Sequence, residues 1–108
     1  RVIAVEPKQT AALLRQEPGL HAIQGIGDGF VPRCLDTHLI DDLITVSDED
    51  AIRTTRELAR TQGLLVGTSS GANAWAAAFI ARGFGPTCNV VTILPDRAER
   101  YFSTALFD

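Results

Sequence analysis

The sequence has few of the side chains on which many active sites depend. Its 108 residues include one lysine, Lys8, and two histidines, His21 and His38. A mechanism with a lysine nucleophile would have to use Lys8, and one with a histidine base would have to use the first third of the chain. Because no nucleophile lies near either histidine in sequence, we expect both to be surface or packing residues.

Cysteine is equally scarce. Cys34 and Cys88 are far apart, and neither has a cysteine or histidine at zinc-finger spacing. A disulfide framework would need more cysteines. The pair therefore predicts reduced, partly buried thiols in a cytosolic protein, and we expect no metal site.

A basic excess and a long apolar run are also absent. The net charge of −3 argues against a nucleic-acid-binding protein. The longest apolar stretch, 74–81, is far too short to cross a bilayer, so we expect no membrane partner. What the chain does contain, 45% apolar and 21% charged residues, is typical of globular proteins.

Strands and helices alternate along the chain. Apolar, β-branched runs without polar alternation are typical of strands buried on both faces of a sheet. Three runs of this kind are present, at 2–5, 64–66 and 90–94, and a further strand is predicted at 39–46, entered through Asp41-Asp42.

The clearest helix begins after Ser47. This residue is a good N-cap, and the acidic residues 48–50 would favour the positive end of the helix. Apolar residues then recur at helical spacing up to Gly63, which suits the end of the helix.

Other helices are predicted from composition. The alanine-rich segment 72–81, closed by Gly83, predicts a helix with Trp75 as a core contact. Shorter helices are predicted near 10–15 and 97–104.

Apolar strands separated by helices indicate a parallel sheet covered on both faces. The predicted fold class is therefore α/β, with three α-β-α layers and a mostly parallel sheet. Only Arg1 precedes the strand at 2–5. Because proteins rarely start inside a core strand, we expect an upstream part of the protein to be missing.

Two turns follow predicted strands, at 67–71 and at Pro95-Asp96, and ligands of open α/β sheets bind at such ends. The first turn places two serine hydroxyls, Ser69 and Ser70, at a helix N-terminus, where an anion or a ligand acceptor is stabilised. The alternative is that one of these serines only caps the helix.

The same turn matches the G-x-S-x-G nucleophile elbow of α/β-hydrolases. That fold needs an acid and then a histidine after the serine. Asp96 could be the acid, but no histidine follows His38. A serine hydrolase is therefore the weakest alternative.

The loop QGIGDGFVP, at 24–32, carries glycines at alternate positions. It does not fit the dinucleotide fingerprint, which needs a helix opening at its third glycine. Phe30, Val31 and Pro32 follow instead, so a tight loop is the simpler interpretation.

Together, the glycine loop and the serine turn resemble the C-terminal part of cysteine synthase (O-acetylserine sulfhydrylase), a family of fold-type II pyridoxal-phosphate enzymes. The resemblance covers nearly the whole chain in the family's order. The matching stretches are VIAVEP at 2–7, IQGIGDGFVP at 23–32, LDTHLIDDLITVSDEDAI at 35–52, GLLVGTSSGA at 63–72 and ERYFSTALF at 99–107.

This resemblance implies part of the large domain of a homodimeric cytosolic enzyme that uses pyridoxal 5'-phosphate. Sulfide would replace the acetate of O-acetyl-L-serine to give L-cysteine, and serine acetyltransferase is a further partner of the family. The role of facing the pyridine nitrogen falls to Ser69, with Ser70 as N-cap and anchor. The backbone of Gly25, Ile26 and Gly27 would line the substrate side of the cofactor.

Parts of the family pattern are absent. The Schiff-base lysine of the family lies in an N-terminal serine–x–lysine–aspartate motif, which Lys8 does not match. The loops that hold the cofactor phosphate and the substrate carboxylate are absent too. Residues 1–108 are therefore expected to be the C-terminal part of the catalytic domain, inactive alone and without a catalytic residue of their own.

Two alternatives stay open within this resemblance. Asp28 and Thr68 depart from the family pattern. Asp28 either points to solvent or marks a relative with another nucleophile or acceptor, such as a cystathionine β-synthase-like enzyme. The chain could also be a non-catalytic remnant or interaction module that keeps the fold without the lysine.

Overall fold

The structure, a computed structural model, describes residues 1–10 and 32–101. Within them lie two strands, β1 at Ile3–Pro7 and β2 at Asp42–Val46. The strands pair in parallel, with Ile3 opposite Asp42 and Pro7 opposite Val46. Both occur where apolar runs predicted them, although β2 begins later because Thr37–Leu39 forms a 3-10 turn. The parallel pairing confirms the α/β class.

Helix α1 spans Asp48–Gln62, as its capping residues predicted. The Ser47 hydroxyl accepts a hydrogen bond from the Asp50 amide at 3.1 Å, and three acidic residues occupy the first turn. Gly63 ends the helix in the left-handed conformation, with φ of 68°, which glycine adopts without steric cost.

Helix α2 spans Thr68–Phe84 and differs from the prediction at both ends. Gly67 occupies the N-cap position without a side-chain hydrogen bond, so the prediction that Ser70 is the N-cap is wrong. Gly83 lies inside the helix, and Gly85 ends it with its amide donating to the Ala81 carbonyl at 2.9 Å.

Two predicted strands are not strands in the structure. Val66 forms only an isolated antiparallel bridge with Arg97. The segment 90–94 has no strand partner among the described residues, and Val91 and Ile93 are 89% and 72% exposed. A strand is stabilised by cross-strand pairing and burial, which composition alone does not guarantee.

The core is small and built from small residues. Buried Val46, Ala51, Ala72 and Ala76 form it, with Val5, Ile44 and Trp75 packed against them. Trp75 is therefore a core contact, as predicted, and its ring also stacks on Phe79 at 5.5 Å. Alanines on both helices let α1 and α2 approach closely.

The remaining predictions have mixed outcomes. Cys34 and Cys88 are free thiols but exposed, so their predicted partial burial is wrong. His38 is exposed, as predicted. Ala98–Tyr101 forms a 3-10 turn where a short helix was expected. His21 and the helix near 10–15 fall outside the described residues, apart from a 3-10 turn at Lys8–Thr10.

In the part of the chain that the structure describes, no helix is both long enough and apolar enough to cross a membrane.

Candidate functional site

The serine turn at 67–71 and the turn at Pro95-Asp96 lie side by side. The Gly67 amide donates to the Asp96 carbonyl at 3.2 Å, and the Ala98 amide donates to the Leu65 carbonyl at 3.1 Å. With the Val66–Arg97 bridge, these bonds join the segment before α2 to the segment before the 3-10 turn. The two turns that were predicted from the sequence as places where a ligand could bind are therefore neighbours in the structure.

The first turn of α2 is almost fully buried. Thr68, Ser69 and Ser70 are 2%, 3% and 0% exposed. The Ser70 hydroxyl has no hydrogen-bond partner among the described residues. A buried hydroxyl without a partner is costly, which makes this oxygen notable.

The N-terminal end of α2 lacks the acidic side chains that α1 carries at its own N-terminal end. Helix α1 carries three acidic residues in its first turn, whereas α2 carries none and has no side-chain cap. The first backbone hydrogen bond of α2 runs from the Gly71 amide to the Gly67 carbonyl at 3.2 Å. The amides of residues 68–70 therefore have no partner within the helix, which leaves the N-terminal end of α2 partly positive.

Thr55 of α1 contacts this turn and was missed as a site residue from sequence. Its side chain is 2% exposed, and its hydroxyl lies 2.8 Å from the Ala51 carbonyl oxygen and 3.4 Å from that of Gly67. The signal available in the sequence was a threonine within the apolar stripe of α1.

Gly71 is explained by this contact. A Cβ at Gly71 would overlap the Thr55 hydroxyl and the Ala51 carbonyl oxygen, and would lie 2.9 Å from the Thr55 amide nitrogen. The last glycine of the serine turn is therefore required by helix packing.

Other predicted site residues are not brought to this turn by the described residues. Gly25, Ile26 and Gly27, together with Asp28, fall outside those residues. Lys8 is exposed in the 3-10 turn after β1. Within the described residues, no group of three or more His, Cys, Asp or Glu side chains could hold a metal ion.

Comparison with known proteins decides the family. A family profile described as "Pyridoxal-phosphate dependent enzyme" matches residues 1–96, which include both turns. The chain belongs to this family of pyridoxal-phosphate-dependent enzymes. The predicted family resemblance and its cofactor are thereby confirmed at the level of the family.

A curated relative in this pyridoxal-phosphate family is cysteine synthase B of Campylobacter jejuni. It is 51% identical over 106 residues, which are 98% of this chain and 35% of that protein. The chain thus spans about a third of the length of the curated relatives it matches.

Solved structures of the family agree with the fold. The crystal structure of O-ureido-L-serine synthase matches with a TM-score of 0.92 and 44% identity, covering 99% of this chain and 34% of that one. The O-acetylserine-dependent cystathionine β-synthase of Helicobacter pylori matches with a TM-score of 0.90 and 44% identity, covering 99% and 35%. The predicted fold-type II architecture is confirmed.

Proposed function

We propose that this chain is the C-terminal portion of the catalytic domain of a cysteine synthase. In the proposed reaction, sulfide replaces the acetate of O-acetyl-L-serine, and L-cysteine and acetate are formed. The observation that carries the proposal is the 51% identity to cysteine synthase B across 98% of the chain, including the serine turn. A non-catalytic remnant has no comparable support.

The residues at the N-terminus of α2 fit pyridoxal phosphate. Bound there, the cofactor would supply an electron sink for β-elimination and replacement. The turn offers the buried Ser69, the Ser70 hydroxyl without a described partner, and no acidic side chain in the first turn. Because a helix N-terminus is partly positive, this turn suits a neutral heterocyclic nitrogen better than a protonated, cationic one.

Ser69 is the residue proposed to face the pyridine nitrogen. A hydroxyl can donate to or accept from that nitrogen, so it does not enforce protonation as a carboxylate would. This favours replacement at the β-carbon over reactions that need a stronger electron sink. Ser70 remains beside it as an anchor candidate, although it is not the helix cap.

The other parts of the proposed site come from elsewhere. The backbone of Gly25, Ile26 and Gly27 is proposed to line the substrate side of the cofactor. The lysine that binds the cofactor covalently is proposed to lie outside this chain, since Lys8 matches no part of the family motif. Classification as a transferase or lyase, a homodimer, a cytoplasmic location and an association with serine acetyltransferase are proposed on the same grounds.

A related nucleophile is the second candidate. The chain is 44% identical to both O-ureido-L-serine synthase and an O-acetylserine-dependent cystathionine β-synthase, which supports this second candidate. The two candidates share the acetylated substrate and differ in the attacking group.

The test uses the complete protein with pyridoxal phosphate and O-acetylserine. Acetate release and product formation are measured with sulfide and, separately, with a panel of thiols and with hydroxyurea. Faster product formation with sulfide supports cysteine synthase, and faster formation with a larger thiol or with hydroxyurea supports a related enzyme. Failure to bind the cofactor would contradict both.

A further inference from the structure

Thr55 lies between the two helices at the point where the serine turn begins. It is 2% exposed, and two carbonyl oxygens, of Ala51 and Gly67, lie 2.8 Å and 3.4 Å from its hydroxyl. A hydroxyl has one proton and donates to one carbonyl at a time. The Ala51 carbonyl belongs to Thr55's own helix, whereas the Gly67 carbonyl belongs to the turn before α2.

Both backbone polar groups of Gly67 make hydrogen bonds. Its amide donates to the Asp96 carbonyl at 3.2 Å, and its carbonyl accepts from the Gly71 amide at 3.2 Å, with the Thr55 hydroxyl 3.4 Å from the same oxygen. Ser69 follows Gly67 by two residues in the same turn. Because Ser69 lies in the same turn, a rotation of the Gly67 peptide would carry the Ser69 backbone with it.

Thr55 and Gly71 are in close contact where the two helices meet. A Cβ at Gly71 would overlap the Thr55 hydroxyl, so the helices meet at this pair without space for adjustment. A closely packed contact of this kind transmits a change in one side chain to its neighbours. A substitution at Thr55 is thus expected to reach the serine turn.

We propose that Thr55 is a positioning residue, whose hydroxyl sets the Gly67 peptide and thereby the place of Ser69 against the cofactor. This inference rests on the proposed function, because it gives Ser69 its role there. In this proposal Thr55 acts through the Gly67 peptide and not by touching the cofactor or the substrate.

Thr61 provides a matched control on the same helix. Its hydroxyl donates to the Glu57 carbonyl at 2.8 Å, the same bond to the fourth preceding residue that Thr55 makes to Ala51. Thr61 is exposed, and among the described residues its hydroxyl bonds to the Glu57 carbonyl and not to the serine turn. Comparing the two threonines separates the contact with Gly67 from a general effect on α1.

The experiment compares Thr55→Val, Thr55→Ser and Thr61→Val in the complete protein. The dissociation constant of pyridoxal phosphate is measured by titration, and amide hydrogen exchange is measured at residues 67–71 without cofactor. Thr55→Val removes one buried hydroxyl. We therefore expect it to weaken cofactor binding about 5- to 10-fold and to speed amide exchange in the turn. Thr55→Ser and Thr61→Val should stay within about twofold of wild type.

A purely structural role predicts a different pattern, in which Thr55→Val lowers the unfolding temperature and leaves cofactor affinity unchanged. That result, or equal effects of Thr55→Val and Thr61→Val, would overturn the proposal. If Thr55→Val does not fold, Thr55→Ala replaces it, since its smaller side chain avoids overlap with Gly71. If the wild-type protein binds no cofactor, the proposed function fails, and amide exchange alone decides whether Thr55 positions the turn.

Discussion

Ser69 is the residue on which the proposed chemistry depends most directly. A carboxylate in its place would stabilise the protonated pyridine nitrogen, whereas the neutral hydroxyl does not. We predict that Ser69→Asp lowers kcat/KM for cysteine formation by on the order of 10²-fold. Ser69→Ala, which adds no charge, should lose less. Steady-state kinetics of the complete enzyme measure both, and equal kinetics for wild type and Ser69→Asp would remove Ser69 from the site.

Ser70 leads to a prediction about stability. Its buried hydroxyl has no described partner, and such a group costs about 1–3 kcal/mol. Ser70→Ala should therefore leave the cofactor-free protein as stable as wild type, or raise the free energy of unfolding by about 1 kcal/mol. Ser47→Ala is the control, because it removes a genuine cap and should cost about 1 kcal/mol. Chemical denaturation that shows equal losses for both variants would contradict this.

The features of this site that the sequence predicts correctly are those whose contacts join residues close together in the sequence. The glycine-then-serine pattern after an apolar run placed Ser69 and Ser70 in the first turn of a helix, because that arrangement is local. The choice of cap was wrong because Gly67 begins the helix without a side-chain bond. Thr55 was missed because it reaches the turn from another helix.

At the scale of elements, both ends of α1 were predicted correctly, whereas the last two predicted strands, at 64–66 and 90–94, do not form. Ser47 and Gly63 act on backbone groups within one turn of themselves, so their effect is visible in the sequence. The segments 64–66 and 90–94 have strand composition, but a strand forms only where another backbone pairs with it. Pairing is a property of the fold, and in the described residues β1 pairs with β2 while Val66 forms a single bridge with Arg97.

The packing of α1 against α2 gives a prediction at this scale. Gly71→Ala would place a methyl group against the Thr55 hydroxyl and the Ala51 carbonyl, where there is no room. We expect it to lower the free energy of unfolding by about 1–3 kcal/mol. Gly83→Ala is the matched control in the same helix, because a Cβ there meets nothing within 4 Å. It should stabilise the protein by about 0.5–1 kcal/mol, and a loss as large as that of Gly71→Ala would contradict the packing argument.

At the scale of the whole molecule, exposed large apolar side chains outnumber buried apolar ones among the described residues. The two largest exposures lie in segment 90–94, which, like segment 64–66, was predicted to be a buried strand. Leu65, Val91 and Ile93 are 63%, 89% and 72% exposed, whereas the buried cluster beneath α2 consists of one valine and three alanines. The relatives are about three times as long as this chain, and we propose that the additional chain of a complete enzyme covers these segments.

The 108-residue chain on its own should therefore associate through these segments. We predict that it binds a hydrophobic dye and elutes larger than a monomer in size-exclusion chromatography, because exposed apolar surface and unpaired extended backbone favour association. Val91→Lys with Ile93→Lys should reduce both signals. Leu39→Lys is the control, since Leu39 is 65% exposed but lies in the 3-10 turn before β2. If the double variant associates as strongly as the Leu39 variant, segment 90–94 is not the surface that drives association.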